Sequence, residues 1–202
     1  MNQKTDEPEI DLVDELIAER RDSSTGLPDD MSPLAARLIV SIDKFSLRVG
    51  KIVCWMTVPL FTAMVYEVFV RYVFIAPTMW AYDLSRMIYG AMFMLGSGYA
   101  LMRGVHIRAD FLYRLWSPRT QGTVDFFLYF MLYFPGMLIF LWVCSDYAFD
   151  AWKSGERGMD SAWMPYLAPA RSAMPIGVLL LLIQGVSEAL KSYYAMTRGI
   201  WP

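Results

Sequence analysis

The chain has 202 residues, 56% hydrophobic and 19% charged, with a formal net charge of −2. Its charged fraction lies below the roughly 25% of ordinary soluble domains. Its apolar residues gather into four long runs, which excludes a large soluble catalytic domain and a barrel of alternating strands about 10 residues long.

Residues 1–32 come first. Residues 1–30 hold ten acids and three bases, a net of −7, while the rest of the chain carries a net of +5. No apolar core follows the first basic residue, so the segment does not read as a cleaved signal peptide. Its composition predicts a disordered acidic tail.

Residues 33–51 follow. Ser32 before Pro33 is a helix cap with proline in the first turn. Leu34, Leu38, Ile42, Phe45 and Val49 recur at three- and four-residue steps, and Arg37, Ser41, Lys44, Arg48 and Lys51 fall on another face. This pattern predicts an amphipathic helix in the membrane interface, its basic face toward anionic headgroups. A cytoplasmic extension of the first span is the alternative.

The apolar runs are about 52–70, 83–102, 124–148 and 173–194, within a membrane domain of residues 52–195; residues 196–202 form a short tail. A spanning helix needs about 20 apolar residues. Backbone groups in lipid must be satisfied internally. The expected fold is therefore an all-α integral membrane protein with four transmembrane helices preceded by an amphipathic interfacial helix. In the second run Gly96, Ala100 and Gly104 are four apart, a stripe of small residues that lets another helix approach. It serves either packing within the bundle or contact with a separate subunit.

Basic residues are uneven about these runs. Arg37, Lys44, Arg48, Lys51, Arg103, Arg108, Arg114, Arg119, Lys191 and Arg198 fall on one side, against Arg71, Arg86, Lys153, Arg157 and Arg171 on the other. The excess predicts both termini in the cytoplasm.

The ionisable residues near the runs are the candidate site. Glu67 is the deepest acid of the first run, with Arg71 one turn on in the favourable acid-then-base order. Asp83 and Arg86 open the second run on the same side, after Pro77 and Trp80, so the four residues are placed to form one network. A proton or ion relay is one reading. A structural clamp is the better one, because crossing about 30 Å of hydrocarbon needs further acids, and the remaining acids of the runs lie near their ends. His106 is the single histidine. A pH switch there is outweighed by a loop-ordering or partner-contact role, with Asp110 four residues on and within pairing reach if the segment is helical.

Other chemistry is poorly supplied. Zinc, di-iron and bis-histidine haem sites need clusters of His, Cys or Glu. Cys54 and Cys144 are expected at opposite depths and should not pair. The fifteen methionines read as adaptable packing. No cofactor, metal, catalytic residue or nucleic-acid partner is expected.

The ordered set resembles the small membrane subunit of TRAP (tripartite ATP-independent periplasmic) transporters, the DctQ-like family, over about residues 35–195. The resemblance rests on Glu67 with Arg71-Tyr72-Val73-Phe74, on Pro77 and Trp80, and on an acid opening the second span. It continues in Gly104-Val105-His106-Ile107-Arg108-Ala109-Asp110, in Trp163-Met164-Pro165 through Pro175-Ile176-Gly177, and in Gln184. Asp83 departs from the glutamate frequent in the family, keeping the charge on a shorter side chain. The resemblance implies a bacterial inner-membrane scaffold with three partners: a large membrane subunit that moves solute with sodium, a periplasmic solute-binding protein, and membrane lipid. A stand-alone oligomeric transporter or channel is the alternative.

Overall fold

A computed structural model describes residues 31–104, 116–159 and 161–202. Six α-helices make up the described structure: α1 (Pro33–Trp55), α2 (Thr57–Val73), α3 (Ala81–Met102), α4 (Pro118–Leu128), α5 (Phe134–Ser154) and α6 (Ala168–Arg198). Residues 1–30 of the acidic tail, and His106 and Asp110, lie outside the described residues.

Local chemistry explains where the helices start and break. Ser32 caps α1 through its hydroxyl, which accepts from the Ala35 N–H at 3.3 Å, and Ser117 does the same for α4 from Thr120 at 3.4 Å. Each cap precedes a proline at the first helical position, whose missing N–H costs nothing there. Between α1 and α2 the chain breaks for one residue at Met56. Pro59 is the cause: it has no N–H to give the Trp55 carbonyl, and its ring crowds that oxygen. The helix begun at Pro33 therefore runs to Trp55, past Lys51, and α2 starts after one residue, Met56, that keeps helical dihedrals.

Pro135 leaves a second mark. The turn before it, Tyr129–Tyr133, is π-helical, and the Phe134 N–H reaches back to the Tyr129 carbonyl. The wider turn absorbs the hydrogen bond that proline cannot make. Thus α4, the π turn and α5 follow one another without a loop.

Three stretches are long and apolar enough to cross a membrane: Pro33–Val73, Pro118–Ser154 and Ala168–Arg198. The protein is an all-α membrane protein. Helix α3 is not one of the three. Its 22 residues span roughly 33 Å, enough for the hydrocarbon core, but Gly90, Gly96, Ser97, Gly98 and Tyr99 dilute its apolarity. From Ala91 to Met102 every residue of α3 except Phe93 is buried or half-buried. A helix shielded by neighbours needs less lipid-facing apolar surface.

Helix α6 is the centre of the bundle and packs against α1, α3, α4 and α5. In its most apolar window 44% of residues are buried, against 6% in the α4–α5 stretch. The outward side chains of α2, the π turn and α5, among them Phe61, Tyr72, Phe130, Ile139 and Trp142, are more than half exposed. Such a surface is stable only against lipid or another apolar protein.

Small residues set the closest approaches. A Cβ on Gly177 would lie 2.5 Å from the Met94 carbonyl oxygen, and one on Gly98 would lie 3.2 Å from the Leu180 oxygen. Residues 94 to 98 thus run beside 177 to 180, and α3 and α6 are parallel neighbours. Gly96 meets only Val53 of α1, at an ordinary 3.6 Å. Ala100 is half-buried, and Gly104 stands past the end of α3 at φ 67° with nothing near it. The close face is therefore offset from the small-residue stripe legible in the sequence, because that stripe continues beyond the helix into a turn.

Candidate functional site

The loop after α2 folds back onto the helix it leaves. Ile75 adopts φ 53°, an uncommon left-handed conformation for a β-branched residue. Glu67 holds the turn. One carboxylate oxygen accepts from Arg71, Nε at 3.0 Å and Nη2 at 2.5 Å. The other accepts from the Thr78 N–H at 3.0 Å and from the Thr78 hydroxyl. Glu67 itself is buried, while Arg71 stays half-exposed. Trp80 stacks on Tyr66 with ring centroids 5.8 Å apart, closing the α2–α3 hairpin.

Asp83 sits in the first turn of α3, where the helix N-terminus favours a carboxylate. It is 1% exposed. One oxygen accepts from the Ser161 hydroxyl in the α5–α6 loop, and the other lies 3.7 Å from Arg86 Nη2. Glu67 and Asp83 thus take different partners, Thr78 and Ser161. Asp83 ties the hairpin to the α5–α6 loop, a tie the sequence gives no means to predict.

That loop is itself pinned. Arg171 of α6 makes a two-pronged ion pair with Glu156, with Nη2 to Oε1 at 2.5 Å, and its guanidinium carbon lies 4.0 Å from the Tyr147 ring centroid. Trp152 donates to the Ser172 hydroxyl at 2.8 Å and meets Tyr166 edge-on. Glu67, Asp83 and Arg171 therefore mark one end of the bundle.

A second polar cluster lies between α1 and the C-terminal half of α6. Lys191 Nζ is 2.9 Å from Asp43 Oδ2 and 2.9 Å from Glu188 Oε1. Asp43 Oδ1 accepts from Gln184 Nε2 at 2.9 Å and from the Ser187 hydroxyl at 2.8 Å. The Ser46 hydroxyl donates to Gln184 Oε1 at 2.6 Å. Gln184 and Ser187 are fully buried and Ser46 nearly so. The pairing order shows that α1 runs antiparallel along α6. Sequence reasoning missed this cluster, although one signal was present: Gln184, Ser187, Glu188 and Lys191 fall at i, i+3, i+4 and i+7, a polar stripe on one face of an apolar helix.

The docked face of α1 is built around Ile39, Ser46, Gly50 and Val53, with Asp43 among them. The apolar stripe expected to face the membrane lies outside the docked face: Leu34 is 74% and Leu38 50% exposed. Arg37, Lys44, Arg48 and Lys51 are exposed as well. The reason is closeness of approach. Gly50 lets the Tyr99 ring lie where a Cβ would stand, which a stripe of leucines would prevent.

Fold and site together define an all-α membrane protein whose polar side chains pair across its helices and loops. The chain matches the DctQ component of the tripartite ATP-independent periplasmic transporters over residues 60–193, and it belongs to that family. It is a membrane component of a TRAP transporter. No curated protein and no solved structure matches it.

Proposed function

We propose that this chain is the small scaffold subunit of its transporter. It supports a large membrane subunit that imports an organic acid or related solute with sodium, after delivery by a periplasmic binding protein. The observation that carries the reading is the use made of charged side chains. Asp43, Glu67, Asp83, Glu156, Glu188, Arg71, Arg171 and Lys191 all hold intramolecular partners. None of these pairs forms a chain from one end of the bundle to the other, so the polar groups act as fasteners. The exposed apolar faces of α2 and α5 are suited to a larger membrane partner and to lipid.

In this reading α3 is a fourth spanning helix. Both termini and the basic stripe of α1 face the cytoplasm of a bacterial inner membrane, and the loops bearing Thr78 and Ser161 face the periplasm. The face of α3 that bears Gly98 serves the bundle. The stripe of α1 meets anionic headgroups from the side of a helix docked along α6. A reporter active only in the periplasm should be silent after Pro202 and active after Ser154; the reverse would invert this threading. Purification of tagged protein from native membranes should bring with it a chain of about a dozen apolar segments, each near 20 residues. Recovery of only a homo-oligomer would favour a stand-alone transporter.

A further inference from the structure

Helix α1 presents three faces. One docks on α3 and α6 through Ile39, Ser46, Gly50 and Val53. Roughly opposite lie Arg37, Lys44, Arg48 and Lys51, all exposed and without an ion pair among the described residues. Beside them Leu34, Leu38, Phe45 and Ile52 form an apolar strip, 44% to 74% exposed. From Arg37 to Lys51 the basic stripe is roughly 21 Å long.

We propose that the acidic segment, residues 1–30, docks on this stripe and competes there with anionic lipid headgroups. The inference rests on the cytoplasmic reading of α1 above. Three observations favour this occupant. The first is charge: ten acids against three bases face a stripe of four cations. The second is composition, because Ile10, Leu12, Val13, Leu16 and Ile17 are interspersed with the acids and suit the apolar strip. The third is connection. The segment joins the helix just before Ser32, one turn from Arg37. Thirty residues can extend to about 100 Å, several times the length of the stripe. A tethered segment of that reach meets the stripe at an effective concentration near millimolar, without needing a second molecule.

The consequence is an electrostatic switch. On a neutral leaflet the segment covers the cations of α1. On an anionic leaflet headgroup phosphates displace it, and residues 1–30 become available to the cytoplasm.

Zero-length carbodiimide cross-linking of the full chain in nanodiscs tests this, read by mass spectrometry. Lys191 with Asp43 and Glu188, at 2.9 Å, provides an internal control. In neutral phosphatidylcholine at low salt, carboxylates of residues 6–30 should join to Lys44 and Lys51 within one chain. The yield should fall about tenfold in the Arg37→Glu/Arg48→Glu variant. It should also collapse near 1 M salt, where the screening length is about 3 Å. Anionic phosphatidylglycerol should suppress the same products.

Absence of these products while the Lys191 control forms would overturn the docking. So would products that join only different chains in a mixed-isotope sample, or a yield indifferent to Arg37 and Arg48. Products formed equally in neutral and anionic discs would overturn the competition and with it the lipid contact of α1, leaving the subunit reading untouched.

Discussion

The polar cluster at the α2–α3 hairpin and the one between α1 and α6 do different jobs. At the hairpin, Glu67 is held by Arg71 four residues away and by Thr78 eleven away. These contacts are local, lie at a helix end, and shape a turn. Between α1 and α6, the bonds from Ser46, Gln184 and Ser187 join residues 138 to 144 apart. They decide which face of α1 meets α6 and at what register. Helices in lipid associate through close packing and through side-chain hydrogen bonds between them, and these bonds tie Asp43 and Ser46 to particular positions of α6. The hairpin cluster shapes an edge, and the α1–α6 cluster specifies the fold.

That comparison fails most visibly if the α1–α6 cluster can be cut without harm. Lys191→Met leaves Asp43 and Glu188 charged and facing each other; a fully buried pair broken this way costs about 3–5 kcal/mol, and the partial exposure of Asp43 lowers that figure. Thermal unfolding in detergent should show a larger loss for it than for Gly177→Val, Glu67→Ala or Gly96→Ala. Adding Asp43→Asn and Glu188→Gln should recover much of it, since no uncompensated charge remains. A wild-type melting curve for Lys191→Met would remove the distinction between the clusters.

Next in size is Gly177→Val. Its side chain would collide with the backbone of Met94, and overpacking of this kind costs about 1–3 kcal/mol. The same assay should register a clear but smaller loss.

Glu67→Ala and Arg71→Ala should weaken the hairpin turn, with less effect on the global unfolding midpoint than Lys191→Met. In Glu67→Ala solvent shares the charge of the half-exposed Arg71, and in Arg71→Ala the buried Glu67 carboxylate keeps its two bonds from Thr78. The double variant should be milder than the sum of the singles, because the two side chains share one interaction. Protease sensitivity between Phe74 and Trp80 is the sharper readout. Normal assembly combined with altered sodium or proton stoichiometry would instead revive the relay.

Smallest of all should be Gly96→Ala. The added methyl would meet Val53 at ordinary contact distance, and the change should stay within about 0.5 kcal/mol of wild type. A loss comparable to Gly177→Val would return the close face to the small-residue stripe.

What could be read from the sequence follows the same divide. Long apolar runs, the caps at Ser32 and Ser117 that each precede a proline, and the Glu67–Arg71 spacing depend on neighbours in the chain, and the local pattern exposes them. The ties from Asp83 to Ser161 and from Asp43 to Gln184 depend on which helices meet, and one sequence contains no record of that. Helix α1 shows the limit best. Its leucine stripe is the stronger pattern, yet the face with Ser46 and Gly50 docks, because close approach and hydrogen bonding outweigh apolar area where lipid can cover the leucines. Met56 is a smaller case: Pro59 is visible in the sequence, but the break it causes moves the start of α2 several residues past the first apolar position.

The central claim is that these polar groups fasten a scaffold and move nothing themselves. Uptake by proteoliposomes tests it most directly, with a sodium gradient imposed and the native solute supplied on the loaded binding protein. Vesicles holding this chain alone should show no uptake above protein-free vesicles, and adding the large membrane subunit should restore it. Sodium-driven uptake by the chain alone would contradict the account and establish a transporter in its own right.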